Sequence, residues 1–283
     1  MAYGEPGLLA GWEHEAPADD TLLRQFLANW AASSESPVTA MGGRCLCRGD
    51  LVATSLGRPA GFLNNVILLV PLDPSTLEEA MSSIDDFFGS DQIDEVLLFS
   101  PWPTPDLRPF GWRLEGHPPL MLRPPGGSHP PREDLHIEEV RDPEGLREFD
   151  KVVVPGYPIN GMDEEGRELL LQESALADSR LRCWVGRRNG FPVSAVSVFV
   201  DRGVNDVTLL ATLPEERGKS YGEALMWRAT LSSPQLPAML LSSDLGRRIY
   251  QRMGFLPLMR FTVWQRRFGD KRQDEIRAGA GKA

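Results

Sequence analysis

Lysine is missing from the first 130 residues, which hold 7 arginines against 17 acidic residues. The remaining residues balance at 23 basic and 23 acidic, so the formal charge of −10 belongs to the N-terminal half. An acidic surface repels nucleic acid at long range and is compatible with a cationic or amine-bearing partner. Its plainer use is as a solvated face that aids solubility. Cysteine is scarce as well. Cys45, Cys47 and Cys183 form an odd set with no metal-ligand spacing. Cys45 and Cys47 would point both thiols to one face of a strand, as two small buried hydrophobes. The four histidines, His14, His117, His129 and His136, fall in no HxxxH or HExxH pattern, so no metal is expected. Long apolar runs are absent too. Residues 62–72 are interrupted by Asn64-Asn65 and are too short to span a bilayer. Residues 1–20 are acidic and rich in Gly and Pro, without the basic and apolar regions of a signal peptide. The expectation is a cytoplasmic protein with neither a membrane nor a nucleic acid as partner.

With 283 residues, 41% of them apolar, the chain can bury a large core and form one or two domains. Its most informative stretch is Arg217-Gly218-Lys219-Ser220-Tyr221-Gly222. An apolar run, Val207-Thr208-Leu209-Leu210-Ala211-Thr212, comes before it, and a helix-like segment at 223–231 follows. A strand that ends in a Gly-containing turn and opens a helix is a device for holding phosphate. The first-turn N–H groups have no partner within the helix, and the helix dipole favours anions there. Glycine admits a positive φ, and Arg217 and Lys219 bring positive charge.

Downstream, Ala238-Met239-Leu240-Leu241 reads as a strand, with Ser243 or Asp244 as the cap of a short helix that carries Tyr250. Gly254, before Phe255, is the expected terminator of that helix. This order resembles the GCN5-related N-acetyltransferase (GNAT) family, whose coenzyme A loop reads Arg/Gln-x-x-Gly-x-Gly/Ala. Arg217 and Gly222 match that pattern, while Ser220 stands where its first Gly belongs. In the second motif Tyr250 and Gly254-Phe255 match, and Ser243 stands where Asn is common. The resemblance covers residues 135–266 and implies an α/β fold with a mixed sheet flanked by helices. It also implies a coenzyme A site made of Leu210, Ala211, Thr212, Arg217, Gly218, Lys219, Ser220, Tyr221, Gly222, Ser243 and Gly246.

A Pro/Gly-rich segment at 122–131 divides the chain into comparable pieces. Val66 and Val207 open matching apolar runs 141 residues apart, and Gly111-Trp112 matches Gly254-Phe255 at an offset of 143. An amphipathic segment and a second apolar run lie between the anchors in both pieces, at 75–88 and 95–100 in the first. These correspondences predict two GNAT-like domains in tandem: residues 1–125, a linker at 126–134, residues 135–268, and a tail at 269–283. The first piece has Pro71, Asp73 and Pro74 where the phosphate turn would be, which removes donors and adds negative charge. It is expected to be a degenerate copy without a cofactor site. In the second piece, His136 opens an alternating strand and Asp142-Pro143 starts a helix; Asn189-Gly190 and Arg202-Gly203 mark hairpins. A further helix-like segment is expected at 163–177.

The resemblance implies transfer of an acetyl group from acetyl-CoA to a primary amine, on a small molecule or a peptide. An N–H near Ala211 would polarise the thioester carbonyl, and Tyr250 would protonate the leaving thiolate. Alternatively, Tyr250 packs on its Gly-Phe turn as an ordinary aromatic. No base is legible. Glu215 and Glu216 lie at the phosphate end, Asp201 and Asp206 are expected to be solvated at a hairpin, and Asp163, Glu164 and Glu165 read as a solvated helix start. Two other readings stay open: an acyl-CoA-binding sensor without turnover, and an interaction module on the same fold. The acceptor's identity and a homodimer are also open.

Overall fold

A computed structural model of the chain describes residues 21–89, 91, 93, 95–157 and 169–267. Asp163, Glu164, Glu165, His14 and the tail at 269–283 lie outside the described residues. The first part runs α1 (Leu22–Ala40), β1 (Arg44–Cys47), β2 (Leu51–Ser55), β3 (Asn65–Leu68), α2 (Leu77–Phe88), β4 (Glu95–Ser100), β5 (Arg113–Gly116) and β6 (Pro119–Arg123). The second runs β7 (His136–Glu139), α3 (Pro143–Gly156), β8 (Leu181–Arg188), β9 (Phe191–Asp201), β10 (Val204–Thr212), α4 (Tyr221–Thr230), β11 (Ala238–Leu241), α5 (Asp244–Arg252), β12 (Leu256–Arg260) and β13 (Thr262–Arg267).

Local chemistry sets most of these boundaries. Asp142 caps α3 by accepting from the Gly145 N–H at 2.8 Å, and Pro143 supplies the preset φ of a first helical residue. Asn189-Gly190 and Arg202-Gly203 all have positive φ, as tight hairpin turns of the primed type require. Gly111 and Gly254, the paired landmarks of the two halves, are both left-handed, at φ 82° and 86°. Within the segment expected to be helical at 163–177, a 3-10 turn at Glu173–Ala177 is present among the described residues. The thiols depart from expectation: Cys45 is only half-buried and Cys47 is exposed, because β1 is an edge strand.

The strands form two mixed sheets. One has the order β1-β2-β3-β4-β13-β5 and the other β12-β6-β11-β10-β9-β8-β7. Each contains one parallel pair, β3 with β4 and β10 with β11. The last strand of each half joins the other half's sheet. β6 lies between β11 and β12, antiparallel to both, and β13 lies between β4 and β5 in the same way. The sheets therefore do not coincide with two sequence halves.

Three apolar clusters fill the space around the sheets. One joins α1 and α2 to the first sheet and reaches Val204 and Met239 in the second. A second holds α3 against β8 and β9. The third packs α4 on the opposite face, with Tyr221, Leu225, Met226, Tyr250 and Phe255 buried. A buried side chain of this size contributes roughly 1.5–3 kcal/mol over its exposed state. Asn29 on α1 crosses between halves, its Nδ2 donating to the carbonyls of Phe199, Asp201 and Val204 at 3.3, 2.9 and 3.2 Å. No helix of the described residues is long and apolar enough to cross a membrane.

Candidate functional site

β10 carries the site because it outruns its parallel neighbour. β11 pairs with it only at Asn205↔Ala238 and Asp206↔Met239, while its other edge pairs with β6 from Ala238 to Leu241. From Val207 to Thr212, β10 pairs with β9 alone, with a bulge between Val207 and Leu209. One edge of the strand is thus splayed open toward α5. Alternation along an antiparallel pair decides which backbone groups face that edge. Leu210 and Thr212 do. The N–H expected near Ala211 faces β9 instead, and Ser194 Oγ bonds the Ala211 carbonyl at 2.7 Å. The nearest outward N–H belongs to Leu210.

The strand runs through a 3-10 turn at Pro214–Glu216 into the turn at Arg217–Ser220 and then α4. Gly218 has φ 79° and Ser220 has φ 61°. Two left-handed residues at a helix start arrange successive N–H groups into a concave anion-binding nest. Ser220 therefore adopts the conformation glycine would adopt freely, at a cost of order 1–2 kcal/mol. Its hydroxyl makes no cap bond to the helix, and the turn from Gly218 to Ser220 is exposed. Arg217 does not reach outward. Its guanidinium binds the carbonyls of Thr212 at 3.2 Å and Gly156 at 3.3 Å, tying the strand end to the end of α3. Lys219 pairs with Glu216 at 2.8 Å. Arg132 donates to the Lys219 carbonyl at 2.9 Å and lies 5.1 Å from the Tyr221 ring centre. It lies in the linker, where composition alone gives no hint of such a role. Gly222 lets the first turn of α4 approach Thr212, whose Oγ1 would lie 3.0 Å from an added Cβ.

On the other wall of the splay, Ser243 caps α5 by accepting from Gly246 at 3.2 Å. Tyr250 lies one turn further along. Its ring covers Gly246 so closely that an added Cβ would sit 2.8 Å from the ring, and it packs 5.8 Å from Phe255. Burial, and after it the neighbouring Tyr157 phenol, holds the Tyr250 pKa well above the ordinary tyrosine value. Its hydroxyl forms no hydrogen bond among the described residues.

Two residues matter here that sequence reasoning missed. Tyr157, which follows α3, donates its hydroxyl to the Leu210 carbonyl at 2.8 Å and accepts from the Leu210 N–H at 3.2 Å. Asp206 is not solvated. It is buried beside the β10–β11 pairing, and burial pushes its pKa up to about 8. Glu215 and Glu216 stay at the turn, and Asp201 pairs with Arg180 at 2.9 Å. A groove of about 480 Å³ lies on the other flank of α4, lined by His129, Arg132, His136, Trp227 and Arg228 among others, and does not include the splay.

The first sheet offers no such arrangement. β3 stays paired with β4 from Asn65 to Ile67 of its four residues. Asp73 bonds the N–H and hydroxyl of Ser75 at 2.8 Å, an Asx turn that places a carboxylate where an anion would sit. A 3-10 turn at Arg108–Phe110 replaces the Tyr-bearing helix.

Solved structures of similar fold are found for this chain. A GCN5-related N-acetyltransferase from Kribbella flavida aligns with a TM-score of 0.59 over 84% of this chain and 96% of its own, at 18% identity. One from Sphaerobacter thermophilus aligns at 0.52 over 77% and 76%, at 13% identity. A GCN5-related N-acetyltransferase-like protein from Streptococcus suis aligns at 0.50 over 88% and 100%, at 10% identity. The chain has the fold of the GCN5-related N-acetyltransferases. No family model and no curated protein matches the sequence. The alignments cover both sheets, so this likeness extends well beyond the residues 135–266 that carry the GNAT motifs. Chemically, an open strand edge beside a turn of exposed N–H groups can accept an extended, amide-bearing segment along β10 and an anion at the turn.

Proposed function

We propose that the protein is an N-acetyltransferase that moves an acetyl group from acetyl-CoA to a primary amine. The observation that carries this is the continuity of the β10 edge with the nest at residues 217–222, which suits one ligand that is amide-rich at one end and a pyrophosphate at the other. Leu210 and Thr212 would receive the pantetheine arm as a strand receives a strand. The N–H groups from Gly218 to Gly222, with Lys219 and the Ser220 hydroxyl, would hold the pyrophosphate. Ser243 and Gly246, at the start of α5, would complete the site. The two halves are read as tandem GNAT-like units, at 1–125 and 135–268, with this single site per chain.

Acetyl-CoA supplies an activated acyl group. The protein's part is to fix the thioester, exclude water and manage two protons. An N–H on the splayed edge polarises the acyl carbonyl, and one preorganised donor of this kind is worth ~3 kcal/mol of barrier. Tyr250 presents an uncommitted hydroxyl that stays protonated, and although burial makes it a weaker acid it can donate to the sulfur as charge develops there. The amine loses its proton through water or a group outside the described residues. The acceptor class follows from this chemistry only as far as a primary amine.

Calorimetric titration with acetyl-CoA, followed by a thiol-release assay over a panel of amines, tests the reading. Tyr250→Phe should lower kcat by roughly 10- to 100-fold at unchanged acetyl-CoA affinity. Wild-type turnover in that variant would remove Tyr250 from the mechanism. A second reading, acyl-CoA binding without turnover, rests on one observation: the Leu210 N–H already has a partner in Tyr157, and if it keeps that partner it leaves the thioester carbonyl unpolarised. Binding with no thiol release on any amine would select it.

A further inference from the structure

Leu210 presents one N–H and one carbonyl at the splayed edge, and a single hydroxyl satisfies both. Two successive amides of an incoming extended ligand would make the same two bonds, one supplying a carbonyl and the next an N–H, because a trans amide directs its donor and acceptor to opposite sides. Tyr157 therefore occupies the position of a neighbouring strand. Its placement is set from two sides. It directly follows α3, with its N–H bonded to the Val153 carbonyl at 2.9 Å. Its ring meets Phe62 of the first half edge-on at 5.9 Å, within the 3-10 turn Gly61–Leu63. The α3 end is itself fixed to β10, since the Gly156 carbonyl shares the Arg217 guanidinium with Thr212.

On the proposed reading of this site, which the inference extends, we propose that Tyr157 is an internal competitor for the strand edge. In the free protein its hydroxyl caps Leu210. Acyl-CoA binding exchanges that hydroxyl for amide groups of the pantetheine arm and moves the Tyr157 ring against Phe62. Tyr157 is thus a positioning residue. It keeps a half-buried strand edge from lying unpaired, and it sets the affinity for the acyl donor by the strength of the bonds that must be released. Because Phe62 backs the ring, the first half takes part in donor binding without a donor site of its own.

The test is calorimetric titration of the full-length protein with acetyl-CoA, comparing wild type with Tyr157→Phe. The phenyl ring keeps the packing and frees the Leu210 N–H and carbonyl for the ligand. The dissociation constant should fall about 3- to 10-fold, the gain from no longer breaking one or two hydrogen bonds. A merely structural tyrosine would leave affinity unchanged or weakened, and either result in a folded variant overturns the proposal while leaving the acetyltransferase reading intact. Binding by neither protein overturns both. Phe62→Ala keeps the hydroxyl and removes the ring's edge-on neighbour. It should tighten binding in the same direction by a smaller factor, and it decides the question if Tyr157→Phe does not fold. Unchanged or weaker binding in Phe62→Ala would count against the proposal equally.

Discussion

Ser220 and Asp206 show what single residues reveal only in the fold. The sequence places Ser220 where a family glycine belongs, and the structure gives it φ 61°, so the mismatch is a backbone cost and not a lost turn. Ser220→Gly removes the Cβ strain, and the more flexible unfolded chain offsets part of the gain. A net stabilisation of about 0.5–1 kcal/mol is expected as a higher urea midpoint at unchanged m-value, and a lower midpoint would show that the serine hydroxyl holds the turn. For Asp206, burial raises the carboxyl pKa from the ordinary 3.8 to about 8. Below about pH 4 both folded and unfolded chains hold the proton. Between about pH 4 and 8 only the folded chain does, so its stability falls as pH rises, and the loss levels off above about 8. Asp206→Asn should flatten that slope and raise Tm at about pH 8, measured by calorimetry from about pH 5 to 8. A wild-type Tm rising over that range in parallel with the variant's would contradict it. Nothing in the local sequence distinguishes Asp206 from Asp201, because both flank the same hairpin and only the tertiary cover of β10 differs.

Among the elements, those with strong local signals were legible: the capped start of α3, the two Gly-bearing hairpins, and the Gly254 terminator of α5. The opening between β10 and β11 was not. It depends on where β11 stops pairing with β10, after Met239, and no local pattern marks that point. Tyr157 was invisible for the same reason, since its partner lies 53 residues away across the splay. The end of α3 gives this element a direct test. A Cβ on Gly156 would lie 2.7 Å from the Ala211 Cβ, so the helix end must shift from β10 to accept it. Gly156→Ala should destabilise the protein by ~1–3 kcal/mol through overpacking. Full stability in the variant, by denaturant titration, would mean that the contact yields without cost.

For the whole molecule, spacing between the halves led to an expectation of two units and gave no sign that the last strand of each half enters the other half's sheet. A strand such as β13 has the same local pattern whichever sheet it joins; only the long-range pairing of Thr262–Arg267 with β4 fixes the choice. The exchange makes the halves interdependent. Residues 127–283 alone would lack β6, leaving β11 and β12 without the strand that separates and pairs them, and would carry β13 with no sheet to enter. Residues 1–126 would face the converse, with β4 and β5 parted and β6 unpaired. Unpaired edges of this kind favour association over monomeric folding. Expressed separately, both fragments should aggregate or lack a cooperative thermal transition; co-expressed, they should co-purify as a 1:1 complex with the melting behaviour of the intact chain. A monomeric, cooperatively folding 127–283 fragment that binds acetyl-CoA would show that β6 is dispensable. The first half would then have no structural claim on the site.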